Sequence, residues 1–461
     1  MQGGTGPGGP VPLEKGAESP RLFLPALEKL EAAGEGASPD SKLDRIRQFL
    51  REEEAQLVAR AKAGVPGLEL AHRRSQLLSA VLIHLWNHAG DAASKSRLAL
   101  GAVGGFGRGE MSPASDVDLV FIREGGKEKA EEEVVRQILY VLWDIGFKVG
   151  HACRTIGETM ERAENEPMIK TALLDARYLA GSDTLWQNFV SEFQKKCLQR
   201  GVENYLAWRL ENQAARHTKE GGTIYVQEPN LKAGVGGLRD FHNLRWVGKV
   251  SGQGMSLGEL AAQGWLGAEE VDAAEKSFAF LMTVREWLHD LQGGAGDVLT
   301  LRLQGELAVA MGYPQPNILR QSEALMREVY GHMRSIHLIC NPAATRICQQ
   351  ITGKPRGLWS FFAGWQGSRR TTDGFILKGA ELEAESPQVF AQDPARMIRV
   401  FRILQDQGSV PSAQLVALFR ANFGLLTDEL LGRKDVQEVL LHLLRQKGKV
   451  ARVLRLMHEN G

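Results

Sequence analysis

The chain has 461 residues, enough for two or three domains, and its 43% hydrophobic and 24% charged residues match an ordinary soluble globular protein. A net charge of +1 gives no overall nucleic-acid signature, so any anion site must be local. Four scattered cysteines (Cys153, Cys197, Cys340, Cys348) without a C-x-x-C pair argue against a disulfide framework or zinc knuckle, and no run of about 18 apolar residues offers a membrane span.

Residues 1–40 read as a tail, Gly/Pro-rich and disordered at its start, without the apolar stretch of a signal peptide. Residues 41–95 form a helical prefix. In Ser41 to Arg60, Leu43, Ile46, Phe49 and Leu50 share a face, and Leu68 to Trp86 repeats the pattern with Leu77, Leu78, Val81, Leu82 and Leu85. A core follows over 96–225. Arg97 to Val103 is a first strand and Val117 to Ile122 a second, with the apolar run of a buried strand. Lys127 to Ile145 is an amphipathic helix ended by Gly146. Phe147 to Thr155 is a third strand, and Ile169 to Leu179 is read as helix. This order predicts a small mixed sheet backed by helices, an α/β or α+β core. Residues 226–461 read as mainly helical, clearest at Ser277 to Leu291 and Ser322 to Leu338. Thr352 to Leu382 is taken as a linker or irregular insert. Short helices are expected at Asp393 to Gln405, Ser412 to Asn422, Asp435 to Gln446 and Lys449 to Glu459.

The chemistry concentrates between the first two strands. Gly104, Gly105, Gly107 and Gly109 permit close backbone approach to phosphates, and successive N–H groups there can form an anion-binding nest. Arg108 is expected to add a bidentate phosphate contact, and Ser115 a hydroxyl beside the carboxylates. Side chains alternate along a strand, so Asp116 and Asp118 point the same way. Two such carboxylates suit Mg²⁺, which binds through a few carboxylates plus substrate phosphates and activates nucleotidyl transfer. The bland alternative is a β-turn flanked by solvated aspartates. The turn is neither a Walker A loop nor G-x-G-x-x-G. A second glycine-rich loop, Pro229 to Asp240, sets Lys232 and Arg239 around Gly234, Gly236 and Gly237. It reads equally as a flap over phosphate and as a tight inter-domain turn.

The spacing from Gly104-Gly105 to Asp116-Val117-Asp118 resembles the polymerase-β-like nucleotidyltransferase superfamily. That superfamily usually carries a third carboxylate on the next strand. Here that strand offers Gly150, His151, Cys153 and Arg154, and the nearest acids are Asp144 and Glu158. The longer string GGFGRGEMSPASDVDLVFI (104–122) closely resembles the nucleotidyltransferase domain of bacterial protein-PII uridylyltransferases. Further blocks in the same order resemble that family: 142–155, 170–182, 228–249, 284–289, 303–313, 374–377 and 393–404. Ala233 and Val235 depart from its usual acid and proline.

The resemblance implies an α+β fold, with a polymerase-β-like nucleotidyltransferase core followed by a mainly helical region. It implies a cytoplasmic, Mg²⁺-dependent enzyme of nitrogen regulation that transfers UMP from UTP to a tyrosine of the PII signalling protein, without nucleic-acid or membrane partners. Asp116 and Asp118 would be catalytic and metal-binding. Gly104, Gly105, Arg108, Ser115 and Lys232 would bind nucleotide. Two other readings stand beside it: transfer of another nucleotide or to another protein, and a nucleotide-binding regulator without turnover. The end of the chain resembles the sequence just before the family's HD phosphohydrolase domain, so neither the removing activity nor glutamine sensing through ACT domains is expected. His289-Asp290 is read as a helix pair rather than an HD metal site. His151 and Arg154 are weighed as ligand contacts against ordinary strand residues. Trp143, Trp246 and Trp287 are assigned to the core.

Overall fold

A computed structural model describes residues 39–89, 97–125, 129–353, 370–378 and 381–460, with isolated positions between 26 and 30. The Gly/Pro-rich start of the expected tail lies outside the described residues. The chain divides into two compact units, Met1–Thr352 and Gly353–Gly461.

In the first unit, helices α1 (Pro39–Lys62) and α2 (Gly67–Asn87) bury Ile46, Phe49 and Leu57 against Leu70, Leu77 and Val81. Strands β1 (Leu98–Ala102), β2 (Val117–Arg123), β3 (Val149–Thr155) and β4 (Arg177–Gly181) form one mixed sheet in the order β3-β2-β1-β4. β1 pairs antiparallel with β2 and β4, and β2 pairs parallel with β3. Both faces of β2 are covered. Leu119 and Phe121 meet α2 and helix α3 (Lys129–Ile145), while Val120 and Ile122 face the opposite core. That double burial explains the unbroken apolar run of β2. Gly146, at φ +104°, turns the chain out of α3.

The expected helix over 169–179 is corrected. Helices α4 (Ile156–Asn165) and α5 (Pro167–Leu174) are followed by a strand from Arg177. The outer edge of β1 would otherwise carry unpaired backbone groups, and Arg177–Gly181 covers it. Gly181, at φ +97°, lies so close to β1 that a Cβ there would sit 2.4 Å from the Leu98 carbonyl.

Helices α6 (Asp183–Phe193), α7 (Val202–Lys219), α8 (Leu238–Val250), α9 (Ala268–Gln292) and α10 (Ile318–Thr352) complete this unit, with shorter helices such as Leu257–Ala262 and Leu301–Ala310 between them. Core and helices share one continuous hydrophobic cluster, from Val120 and Ile122 through Trp246 to Ile347. The boundary expected near 225/226 therefore falls inside a single compact unit. α10 extends past the expected end at Leu338 and contains Pro342. An internal proline costs about 3 kcal/mol, but Ile339, Cys340, Ala343, Ala344, Ile347 and Cys348 continue the buried stripe beyond it.

The second unit is not wholly helical. β5 (Arg370–Thr372), β6 (Phe375–Lys378), β7 (Glu381–Ala384) and β8 (Val410–Pro411) form a small sheet. The segment expected as an irregular insert thus holds a hairpin, whose turn is Asp373-Gly374, both with φ > 0. Helices at Arg396–Gln407, Ala413–Ala421, Lys434–Arg445 and Val450–Asn460 pack on a core that includes Phe375, Phe390, Phe401 and Phe419.

Candidate active site

The site grows from the junction of β1 and β2. The Val103 N–H donates to the Asp118 carbonyl at 3.0 Å, and the chain then makes one helical turn, Gly104–Gly107. Gly104 needs its positive φ of +59°, and a Cβ there would lie 3.2 Å from Asp118 Oδ2. The N–H groups of Gly104 and Gly105 start this turn and donate to no group among the described residues. Gly107 packs so tightly that a Cβ would sit 2.0 Å from the Asp175 carbonyl.

Asp116 is exposed just before β2, and Asp118 is half-buried in it. Burial, then the neighbouring Asp116 carboxylate, pushes the Asp118 carboxyl above its ordinary range, and Lys232 and Arg108 oppose the rise. Burial and a like charge both disfavour the ionised carboxylate. Ser115 accepts a hydrogen bond from the Ser112 N–H at 3.0 Å, and Ser112 Oγ accepts one from Arg285 at 2.8 Å, tying the loop to α9.

Arg108 closes the glycine turn and is braced by two acids. Its Nε donates to Glu110 at 2.7 Å and its Nη1 to Asp175 at 2.6 Å. Two buried carboxylates thus hold Nε and Nη1, while Nη2 lies 3.8 Å from where a Cβ on Gly105 would stand. Arg108 also lies 5.6 Å from the Trp246 ring centre, Arg209 lies 4.7 Å from the same ring, and the Trp246 indole N–H donates to Asp175 at 3.0 Å. Burial lowers Arg209 to about 10. Glu110 is held well below the carboxylate range, burial notwithstanding, by Arg108 and then His242. His242 Nε2 lies 2.8 Å from Glu110 off the line of a good hydrogen bond, so that contact is electrostatic.

The second glycine loop closes on this junction. Asn230 Oδ1 accepts from the N–H groups of Lys232 and Ala233, and the Leu238 N–H donates to the Leu231 carbonyl at 2.9 Å. Gly236, at φ +74°, donates its N–H to Asp240, and a Cβ there would strike the Met333 carbonyl at 2.0 Å. Asp240 is fully buried and is also bound by His217, Arg216 and Asn341; despite burial, His217 and then Arg216 hold its carboxyl far below the usual range. The loop presents Lys232, 3.9 Å from Asp297 and close enough to Asp118 to bias it. The Arg239 N–H donates to the Lys232 carbonyl at 3.0 Å, and its side chain makes no hydrogen bond or ion pair among the described residues. Burial, then Arg216 and Arg108, makes its charge unfavourable. Asp297 is shared among Arg285 at 2.6 Å, His289 at 3.0 Å and Lys232, so the cations outnumber the acids facing them.

Other sequence expectations sort by strand parity. Gly150 pairs with Asp118, and Ala152 and Arg154 follow on the same face. His151 faces the other way, with its ring 6.2 Å from that of Trp143. Neither considered acid fills the third position. Glu158 caps α4 and pairs with Arg123, five residues along β2 from Asp118 or about 16 Å at 3.3 Å per residue, and Asp144 lies on α3. Among the described residues, no cluster of three or more His, Cys, Asp or Glu is placed to hold a metal. Trp246 is buried and Trp287 packs on the core, but Trp143 is 44% exposed, contrary to expectation. His289 is a buried partner of Asp297, not an HD ligand. Sequence reasoning missed Asp175, at the end of α5, Arg285, within α9, and Asp297, in the loop after α9, which hold the site from separate segments and give no local signal.

A small mixed sheet carrying a glycine turn and an Asp-x-Asp strand, followed by helices, is the architecture of a nucleotidyltransferase core. Residues 204–343 match the family "GlnD PII-uridylyltransferase", and residues 375–461 match "Uridylyltransferase GlnD third domain". The chain belongs to the PII-uridylyltransferase family. Relatives named bifunctional uridylyltransferase/uridylyl-removing enzyme include one from Novosphingobium aromaticivorans, 30% identical over 96% of this chain and 49% of the relative. Those from Phenylobacterium zucineum and Erythrobacter litoralis are 32% and 30% identical, over 96% and 98% of this chain. The chain spans about half the length of these curated relatives. Among the described residues, no helix is long and apolar enough to cross a membrane.

Proposed function

We propose that this chain transfers UMP from UTP to a tyrosine hydroxyl of a PII-type signalling protein, in the cytoplasm. Asp116 and Asp118 would hold Mg²⁺, and their mutual repulsion fits a cation-binding pair. Bound there, the metal supplies charge neutralisation at the transferred phosphorus. The free N–H groups of Gly104 and Gly105 face the phosphates, with Lys232 and Arg239 supplying positive charge from the second loop. Ser115 and Arg108 position the carboxylate strand and the glycine turn. The tyrosine oxygen attacks the α-phosphorus in line, the bond to pyrophosphate breaks, and the carboxylate pair takes the phenolic proton.

The observation that carries this reading is a pair of crowded carboxylates facing a loop whose two cations, Lys232 and Arg239, have the single acid Asp297 near them. A nucleoside triphosphate with its metal satisfies both at once. The test is incubation with α-labelled UTP and purified PII. Label is expected on PII, with Asp116→Asn and Asp118→Asn each reducing transfer at least about 10³-fold, the several kcal/mol assigned to such metal sites. A panel of four labelled nucleotides fixes the base. Binding of UTP without pyrophosphate release would overturn the transferase reading.

A further inference from the structure

β3 is the outer strand of the sheet, so only this strand, with Gly150 opposite Asp118, separates Asp118 from the free edge. The Val117 N–H donates to the Lys148 carbonyl at 2.8 Å, which fixes the hydrogen-bond phase of the parallel ladder. Gly150, Ala152 and Arg154 therefore spend their backbone groups on β2. Val149, His151 and Cys153 turn theirs outward, and those groups have no partner among the described residues. The Thr155 N–H is capped by Glu158, so the row ends there. An open row of this kind is the template for one more strand.

The two faces of this edge differ. On the Asp118 face β3 is nearly bare, with Gly150 and then Ala152. The Asp118 carboxylate leans over that gap, since a Cβ on Gly150 would lie 2.5 Å from Oδ1. Its other oxygen, Oδ2, faces Gly104. The carboxylate thus spans from the glycine turn on one side to the sheet edge on the other. On the opposite face His151 is exposed beside Trp143 and Tyr140, which are 44% and 53% exposed. That aromatic shelf suits alternate side chains of an added strand.

We propose that β3 is the acceptor-docking edge: the protein substrate adds an extended segment to it, and the tyrosine of that segment reaches Asp118 across Gly150. This rests on the transferase reading above. The residue beside Gly150 on an added strand stands two strand spacings, about 10 Å, from the Asp118 backbone. A tyrosine side chain crosses most of that distance, and a serine hydroxyl does not. The bare Gly150–Ala152 face is thereby a length filter selecting the phenol.

The test uses the full chain with purified PII and UTP. Hydrogen exchange followed by mass spectrometry is expected to show PII slowing exchange of the 149–155 segment. His151→Pro removes one outward N–H and leaves the β2 ladder intact. It is expected to raise KM for PII by about tenfold, one hydrogen bond's worth, with KM for UTP within twofold of wild type. A replacement of the acceptor tyrosine by serine is expected to abolish labelling. Normal transfer to PII with unchanged exchange at 149–155 would overturn the docking edge and leave the activity standing. Absence of transfer by the wild-type chain would instead overturn the activity. Should His151→Pro fail to fold, the exchange measurement on the wild-type chain decides.

Discussion

Replacing Asp240 by asparagine is expected to destabilise the first unit by about 3–5 kcal/mol, the usual result of removing one partner from a buried ion pair. The side chain is fully buried and sits among Arg216, His217, Gln213 and Asn341, with the Gly236 N–H on its second oxygen. Asparagine keeps the shape but leaves the buried Arg216 guanidinium without its acid. At about 2 °C per kcal/mol for a unit of this size, the melting temperature should fall by about 6–10 °C in calorimetry. The sign of the pH dependence gives a second reading. Asp240 has a folded pKa far below its unfolded value near 3.9, so its stabilisation is present above about pH 4 and lost as pH falls toward the folded value. The variant should therefore be weakest relative to wild type at neutral pH and converge on it in acid. Because Asp240 braces the loop that carries Lys232 and Arg239, KM for UTP should rise in the folded variant. A loss below about 1 kcal/mol, the level of an exposed ion pair, would refute the reasoning.

Arg239→Met should behave in the opposite way. The guanidinium has no acid partner, so thermal stability is expected to hold or increase, while KM for UTP rises by about 10- to 100-fold, the worth of a charge-assisted hydrogen bond. Equal losses of stability and affinity would reassign Arg239 to a structural role. The acid limb of kcat/KM for transfer should have its midpoint above the ordinary carboxylate range, because burial and Asp116 raise Asp118. Activity is lost as pH falls through that value. Raising Mg²⁺ should move the midpoint downward, since metal and proton compete for the same oxygens, and a midpoint insensitive to Mg²⁺ would separate Asp118 from the metal site.

What was legible in the sequence was local. The apolar run of β2, the glycines before it and the two-residue spacing of Asp116 and Asp118 all obey short-range rules, and the sheet follows from them. Arg177–Gly181 was misread because a five-residue strand after a helix has too few positions to show its period, and only the open edge of β1 decides it. The bracing of Arg108 by Asp175 was not legible because the two lie 67 residues apart. Trp143 was placed in the core because its helix is amphipathic, yet it sits at the margin of the apolar stripe, beside an edge strand that leaves it uncovered. The crowding of Arg108, Arg216 and Arg285 around Arg239 is invisible to a net charge of +1, since these cations come from separate segments.

The Trp246 ring between Arg108 and Arg209, with its N–H on Asp175, sets a limit on dissecting this chain. One guanidinium belongs to the glycine turn and the other to the helices behind it. A cut between sheet and helices would strip Arg108 of its aromatic cover and expose Trp246, Val247 and their neighbours to water. The sheet is thus not a portable module to be grafted onto another helical partner. Any transplant of this chemistry must carry α7 and α8 along with the strands.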